Sequence, residues 1–146
     1  MPTKNLFDLT GRVAVVTGGN GGIGRSIALG LAQAGAAVAV LARNEEKNQH
    51  VTSEIEALGV AALAVKVDVS VREELRPALA KVEEALAPVS ILVNNAGIAV
   101  IAGVLDQTPE DWDKVIETNL NACFLISKLA AKIDGEAGTR KNHQHR

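Results

Sequence analysis

The chain has 146 residues, enough for one domain with a hydrophobic core and too few for two ordinary domains. A hydrophobic fraction of 47% and 13 glycines are typical of a compact α/β protein rather than of a disordered chain. The formal net charge of -2 and the lack of a long apolar run exclude a strongly basic nucleic-acid surface and a membrane-spanning segment. A single cysteine cannot form an internal disulfide, and the N-terminus lacks an apolar segment of signal-peptide length. We therefore expect a cytoplasmic protein without nucleic-acid or membrane partners.

Four short apolar segments alternate with helical patterns along the chain. The first of them is a continuous β-branched run, which indicates a strand that is buried on both faces, as in a parallel sheet. The predicted strands are residues 13–17, 36–42, 61–69 and 89–94. Apolar residues at helical spacing predict helices at residues 23–34, 45–58 and 71–86. Asn44 is expected to cap the second helix, and Ser70 with Glu73 to form a capping box for the third.

Strands that alternate with helices at this spacing predict a doubly wound parallel α/β sheet. Right-handed crossovers place its strands in the order 3-2-1-4, so the order reverses between strands one and four. In sheets of this kind, ligands bind outside the carboxyl ends of the strands at that reversal. The sequence therefore predicts a ligand site beyond residues 17 and 94.

The last third of the chain predicts one long helix and a polar tail. Residues 108–111 (TPED) have the pattern of a capping box with proline at the first helical position, and apolar residues follow at helical spacing to about Lys132. Residues 134–146 contain one alanine and no larger apolar side chain. We therefore predict a domain of residues 1–133 and a disordered tail of residues 134–146.

A glycine-rich segment, TGGNGGIG at residues 17–24, lies where the first strand meets the first helix. Unpaired N–H groups and the positive end of the helix dipole at such a junction bind the phosphates of a dinucleotide, and glycine lets the backbone approach them closely. The match to G-x-G-x-x-G through Gly19, Gly21 and Gly24 is weak alone, because a glycine-rich turn can be purely structural. Its place between a strand and a helix favours a phosphate-binding loop.

Four segments, taken in order, resemble the motifs of the short-chain dehydrogenase/reductase family. They are the glycine loop read as T-G-x-x-x-G-x-G, then VDVS, NNAG and ETNL, at residues 17–24, 67–70, 94–97 and 117–120. The resemblance extends over about residues 9–132. It implies a truncated Rossmann-type fold, namely the N-terminal cofactor-binding half of an NAD(P)(H)-dependent oxidoreductase. Such an enzyme transfers a hydride to or from a carbonyl or a secondary alcohol.

The resemblance assigns the cofactor-binding residues one by one. Asp68 corresponds to an aspartate that accepts a hydrogen bond from the adenine amino group, with Val69 beside the ring; alternatively, Asp68 is a helix-entry carboxylate. The NNAG segment corresponds to the floor of the cofactor site, with a predominantly structural role. The complete implied set is Thr17, Gly18, Asn20, Gly22, Ile23, Gly24, Arg43, Asp68, Val69, Asn94, Asn95, Ala96 and Gly97.

Arg43 favours NADP(H) over NAD(H) as the cofactor. An NAD enzyme usually ends its second strand with an acidic residue that binds the ribose hydroxyls and repels a 2′-phosphate, and Ala42 occupies that position here. The guanidinium of Arg43 would hold a phosphate through two hydrogen bonds. Two features weigh against this preference. Glu45 and Glu46 would partly neutralise the arginine, and Gly21 takes the place of a second basic residue that some family members carry in the glycine loop.

The reaction of the family needs a tyrosine as general acid and base, a lysine four residues later and a serine, all downstream of the long helix. This sequence contains no tyrosine. Asn119 corresponds to the asparagine that bends the long helix and holds a water of the proton relay, and it is equally compatible with a satisfied core amide. The resemblance therefore implies cofactor binding without turnover. A natural truncation and a slip of the reading frame near Ile133, in the gene or in its sequencing, both stay open.

Two other classes of function stay open. One is a non-catalytic nucleotide-binding or interaction protein that pairs with an intact homologue through the long helix. The other, an S-adenosylmethionine-dependent transferase on a similar sheet, is disfavoured by the NNAG segment and Arg43. The uncharged fourth strand and residues 124–126 predict exposed apolar surface, so we expect self-association or a homo-oligomer through the long helix. No metal site is predicted, because Cys123, His143 and His145 are too few and too scattered.

Overall fold

The computed structural model describes residues 5–144 and contains a four-stranded parallel sheet. Its strands, in the spatial order β3-β2-β1-β4, are β1 (Val13–Thr17), β2 (Ala37–Ala42), β3 (Ala62–Lys66) and β4 (Ile91–Val93). The helices are α1 (Gly22–Gln33), α2 (Glu45–Glu56), α3 (Arg72–Ala85), α4 (Pro109–Ile116) and α5 (Ala122–Gln144). A π-helical turn, Glu117–Asn121, joins the last two helices. The predicted doubly wound sheet and its strand order are confirmed.

Helices cover both faces of the sheet because successive side chains of a strand point in opposite directions. Val13 and Val15 of β1 belong to a core formed with α3 and α5. Ala14 and Val16 belong to a second core formed with α1 and α2. Every residue of β1 is buried, as its continuous apolar run predicts. The two cores fix the sheet, so the loops at the carboxyl ends of its strands start from firm positions.

The caps that the sequence predicts for α2 and α4 are confirmed. The side-chain oxygen of Asn44 accepts a hydrogen bond from the backbone N–H of Lys47 at 2.9 Å. Thr108 and Asp111 form a reciprocal capping box, with proline at the first position of α4. These caps satisfy N–H groups that the first turn of a helix leaves without backbone partners.

The capping box predicted for α3 is wrong. The N-cap of α3 is Val71, and it makes no side-chain cap hydrogen bond. The Ser70 hydroxyl instead donates to a carboxylate oxygen of Asp68 at 2.6 Å. A serine two residues after an aspartate has this local alternative, and the short turn after β3 uses it.

Two strands are shorter than the sequence predicts. The apolar run of residues 61–69 continues past the end of β3, because Val67 and Val69 are buried in the core without belonging to the sheet. Likewise, Val89 is buried but precedes β4. Burial rather than strand pairing therefore explains the apolar character of these flanking residues.

The long helix extends further than the sequence predicts. It was expected to end near Lys132, but α5 continues to Gln144 and through most of the predicted tail. Residues 134–144 contain no proline and several good helix formers, so the backbone stays helical after the apolar pattern stops. Residues 1–4 and 145–146 lie outside the described residues, and a domain boundary at residue 133 stays a prediction. Within the described part of the chain, no helix combines the length and apolarity needed to cross a membrane.

Candidate cofactor-binding site

A cavity of about 620 Å³ lies at the carboxyl ends of the four strands. Each strand contributes to it through the residues that follow, and the strand order reverses between β1 and β4 at the same place. It is therefore the ligand position expected of a doubly wound sheet. The wall consists of Gly18, Asn20, Leu41, Ala42, Arg43, Asn44, Lys47, Val67, Asp68, Val69, Ser70, Asn95, Ala96, Gly97, Ile98, Lys114 and Thr118.

Thr17 joins the end of β1 to the segment that follows β4. Its hydroxyl oxygen accepts hydrogen bonds from the backbone N–H groups of Asn95 and Ala96, both at 3.0 Å, and the hydroxyl donates to the carbonyl of Val93 at 3.4 Å. The side-chain amide of Asn95 donates to the carbonyl of Gly18 at 3.1 Å. Thr17 is buried, so it fixes the floor of the cavity from below, while its partners after β4 form part of the wall.

Close packing requires glycine at position 24. A Cβ on Gly24 would collide with the carbonyl of Gly18 and with the side-chain amide of Asn95. Only a residue without a side chain therefore lets the first turn of α1 approach the loop after β1 so closely. This packing brings the N-terminus of α1 to the reversal of the strand order.

The N-terminus of α1 has the features of a phosphate-binding helix start. Its N-cap, Gly21, offers no side-chain hydrogen bond, and its first turn contains no acidic residue. Gly22 has a φ of 54°, and a Cβ on it would meet no atom within 4 Å. Ile23 is exposed, and Asn20 of the same loop lines the cavity. Uncapped N–H groups at an open helix start are free to bind an anion.

Asp68 lines the cavity two residues after the end of β3 and is kept ionised. Its Oδ1 accepts hydrogen bonds from the backbone N–H of Ser70 at 3.0 Å and from the Ser70 hydroxyl at 2.6 Å. Partial burial raises the pKa of the carboxyl, but the hydrogen bonds from Ser70 and the charges of Arg43 and Lys114 outweigh it, so the pKa lies below its ordinary value. Asp68 is thus an anionic hydrogen-bond acceptor in the wall, next to the apolar Val69.

The cavity wall carries three cations and one carboxylate. Arg43 follows β2, Lys47 lies in the first turn of α2, and Lys114 lies on α4; Asp68 is the carboxylate. The wall therefore has an excess of positive charge. A wall with three cations and one carboxylate favours a ligand that carries more than one negative charge.

Two of these cations are missed by the sequence analysis. The sequence does indicate Lys47, because it lies three residues after the predicted cap Asn44 and therefore in the first helical turn after β2. Lys114 leaves no local signal, because only the tertiary placement of α4 brings it to the cavity. The wall includes neither Glu45 nor Glu46. A partial neutralisation of Arg43 by these two residues stays a prediction.

Asn119 lies in the π-helical turn and binds the loop after β4. Its Oδ1 accepts a hydrogen bond from the backbone N–H of Ile98, and its Nδ2 donates to the carbonyl of Ile98, both at 2.8 Å. Ile98 lines the cavity. The side-chain amide of Asn119 is thus satisfied by backbone groups, but the residue is exposed, so it is not the core amide that one interpretation expects. A role in a proton relay stays a prediction.

Asn94 is directed away from the cavity. Its Nδ2 donates to the hydroxyl of Ser127 at 3.1 Å, in a separate groove of about 250 Å³ between β4 and α5. The residues of the predicted set that line the cavity are Gly18, Asn20, Arg43, Asp68, Val69, Asn95, Ala96 and Gly97. Those outside its wall are Thr17, Gly22, Ile23, Gly24 and Asn94. No group of three or more metal-ligating side chains occurs among the residues that the structure describes.

A family model described as short chain dehydrogenase matches residues 12–139. The chain belongs to this family. A short chain dehydrogenase of Pseudocercospora fijiensis is 41% identical over 142 residues, which are 94% of this chain and 46% of that protein. Gluconate 5-dehydrogenase of Gluconobacter oxydans is 37% identical over 132 residues, 90% of this chain and 52% of that enzyme.

Solved structures agree with this family. A short-chain type dehydrogenase/reductase from Mycobacterium marinum superposes with a TM-score of 0.87 at 38% identity, over 91% of this chain and 54% of that one. The chain spans about half the length of the curated relatives it matches. The resemblance to the N-terminal half of a short-chain dehydrogenase is thereby confirmed.

In this member of the family, an ion pair holds the π-helical turn against α3. Arg72 Nε donates to Glu117 Oε1 at 2.6 Å and its Nη2 donates to Oε2 at 3.0 Å, while Asn121 Nδ2 donates to Oε2 at 2.6 Å. The hydrogen bonds from Arg72 and then from Asn121 lower the pKa of Glu117 to about 2. The pair thus braces the turn that carries Asn119.

Replacing Glu117 by glutamine is expected to destabilise the fold at neutral pH and to have less effect in acid. The folded-state pKa of about 2 lies below the ordinary 4.5, so the ionised carboxylate stabilises the fold fully above about pH 5, and this stabilisation is lost as the pH falls toward about 2. Urea unfolding of the wild type and of Glu117→Gln, from about pH 7 to about pH 3, measures the difference. Glu84→Gln, which removes an exposed charge on α3, is the control. An equal effect of Glu117→Gln on the free energy of unfolding at both pH values would contradict a stabilising ion pair between Glu117 and Arg72.

Proposed function

We propose that this chain forms the dinucleotide-binding part of an NAD(P)(H)-dependent oxidoreductase and prefers NADP(H). The observation that carries the proposal is the cavity at the reversal of the strand order, which has an open glycine loop on one side and Arg43 and Asp68 on the other. Membership of the short-chain dehydrogenase family supports a nicotinamide dinucleotide as the ligand. The oxidoreductase activity is proposed for a whole protein of about twice this length, as the relatives are.

The residues of the cavity match the parts of such a cofactor. Its pyrophosphate would bind the uncapped N–H groups at Gly22, where the loop is open. Its adenine would lie against Val69, with its amino group donating to the ionised Asp68. The segment from Asn95 to Gly97, fixed by Thr17, would support the ribose and nicotinamide side. The bound cofactor would supply or accept the hydride, while the chain holds and orients it.

Two features support NADP(H) over NAD(H). At the end of β2, Ala42 offers no carboxylate to bind the ribose hydroxyls or to repel a 2′-phosphate. The positive excess of the wall suits the additional charge of about -1.5 to -2 that a phosphate monoester brings. Asp68 is the one carboxylate among the residues of the wall, and Glu45 and Glu46 lie outside it.

We propose a carbonyl or a secondary alcohol as the substrate of the whole protein. The related enzyme of Gluconobacter oxydans is named gluconate 5-dehydrogenase, which supports a polyhydroxylated substrate as one member of this class. The chain contains no tyrosine, so the tyrosine-dependent proton transfer of the family has no donor in it. We infer that the chain binds cofactor without turnover. A cytoplasmic location stays a prediction.

Arg43→Glu is expected to weaken binding of NADPH more than binding of NADH. Loss of a charge-assisted contact and the new repulsion should cost about 1 to 3 kcal/mol for NADPH, or about 5- to 150-fold in affinity. Isothermal titration calorimetry with both cofactors measures the two losses. Arg76→Glu, the same change at an exposed arginine of α3 outside the cavity wall, is the control. Equal losses for the two cofactors would leave Arg43 without a part in the preference.

A second candidate function is a non-catalytic partner of an intact homologue. It is favoured by exposed apolar side chains on the long helical segment made of α4, the π-helical turn and α5. Trp112 and Leu120 are each 61% exposed and Phe124 is 66% exposed. One edge of β4 also has no neighbouring strand among the described residues. Size-exclusion chromatography after co-expression with an intact family member tests this function, and separate elution of the two chains would count against it.

A further inference from the structure

Lys47 and Arg43 both line the cofactor cavity, although Lys47 belongs to a helix and Arg43 follows a strand. It occupies the first turn of α2, three residues after the N-cap Asn44. Arg43, Asn44 and Lys47 all line the cavity. Its side chain is exposed, so the ammonium group is accessible to a ligand. The segment after β2 thus contributes both an ammonium and a guanidinium to the cavity wall.

The charge of Lys47 is not balanced within the cavity. The two other cations of the wall, Arg43 and Lys114, both act on the carboxylate of Asp68 and lower its pKa. Among the described residues, Lys47 makes no ion pair within 4.0 Å. Neither of the glutamates that precede it in the first turn of α2 contributes to the wall. A ligand that fills this end of the cavity therefore meets a cation that is not held in an ion pair within 4.0 Å by the described residues.

The backbone that carries these cations is fixed by two asparagines. The side-chain oxygen of Asn44 accepts a hydrogen bond from the backbone N–H of Lys47 at 2.9 Å. Asn48 is fully buried, and its Nδ2 donates to the carbonyls of Ala42 at 2.9 Å and Val65 at 3.3 Å. These bonds tie the start of α2 to the ends of β2 and β3. A fixed backbone lowers the entropy lost when several side chains gather on one anion.

We propose that Lys47 is a second phosphate-binding residue of this site, which acts with Arg43 on a phosphate ester at the 2′ position of the adenosine ribose. This role rests on the proposed function and adds a specificity-determining residue to it. Two cations from the segment after β2 match the charge of a phosphate dianion, whereas a ribose with a free 2′ hydroxyl offers them no charged partner. The contribution of Lys47 is therefore confined to ligands that carry the 2′-phosphate.

The test compares the full-length chain with Lys47→Gln in calorimetric titrations with NADPH, NADH, adenosine 2′,5′-bisphosphate and adenosine 5′-monophosphate. Loss of one charge-assisted contact is expected to weaken the two 2′-phosphorylated ligands by about five- to tenfold and the other two by less than about twofold. Lys81→Gln, a change at an exposed lysine of α3 outside the wall, is the matched control. Circular dichroism of each variant checks that the fold is retained.

A double-mutant cycle sharpens the test. If Lys47 and Arg43 act on the same phosphate, the effects of Lys47→Gln and Arg43→Gln on NADPH affinity are expected to be non-additive, and their effects on NADH to be additive and small. Unchanged NADPH binding by Lys47→Gln, or equal weakening of NADPH and NADH, would overturn the role of Lys47 and leave the cofactor site standing. If the wild-type chain binds neither dinucleotide, the proposed function fails and the role of Lys47 falls with it.

Discussion

Replacing Gly22 by aspartate is expected to abolish binding of NADPH and NADH while the chain stays folded. A side chain at Gly22 would meet no atom within 4 Å, so the fold has room for it. The φ of 54° adds a strain of about 1 to 2 kcal/mol, and aspartate tolerates this conformation better than most residues do. The carboxylate would stand at the uncapped start of α1, where it would take the place of the cofactor phosphate and repel it.

Calorimetry with both cofactors and a thermal melt separate the two effects of this substitution. Gly30→Asp is the matched control, because Gly30 lies on the same helix, is exposed and also has open space around its Cα. We expect Gly30→Asp to keep its cofactor affinity and Gly22→Asp to lose it, with both variants still folded. Cofactor binding by Gly22→Asp at wild-type strength would remove the phosphate-binding role of the glycine loop.

The sheet was predictable because its determinants are local in sequence. The run at residues 13–17 is apolar on both faces, and this property follows directly from a central position between two helical layers. The ends of β3 and α5 were not predictable in the same way. Val67 and Val69 are apolar because they are buried beyond the end of the strand, and residues 134–144 are helical without an apolar face. The apolar pattern of a sequence indicates which residues are buried. It does not fix where a strand or a helix ends.

The candidate site was predictable where its residues follow the ends of strands. Arg43 and Asp68 both line the cavity, as their positions after β2 and β3 imply. Asn94 faces the groove beside α5, because neighbouring residues of an extended segment point to opposite sides and Asn95 takes the inner position. Lys114 comes to the cavity only through the packing of α4. A tertiary placement of this kind has no local sequence pattern.

The long helix presents an apolar surface that a monomer leaves in water. Trp112 and Leu120 are eight positions apart, and in a regular α-helix such residues do not share a face. The π-helical turn between α4 and α5 has more residues per turn, so it reduces the angle between their directions. Trp112, Leu120 and Phe124 all remain more than half exposed along this helix. Several exposed large apolar side chains on one helical segment are typical of a protein interface. We therefore expect the isolated chain to self-associate through this face.

Leu120→Lys combined with Phe124→Lys is expected to convert the associated chain into a monomer. Each side chain that becomes buried at an interface contributes about 1.5 to 3 kcal/mol, and a lysine in its place adds the cost of burying a charge. Both positions are exposed in the single chain, so the fold itself should tolerate the changes. Sedimentation equilibrium and light scattering at matched concentrations measure the mass. Ile101→Lys with Leu105→Lys, at loop residues that are 99% and 94% exposed, is the control and should leave association unchanged. A wild-type chain that sediments as a monomer, or a control that dissociates it equally well, would show that the helix face is not the interface.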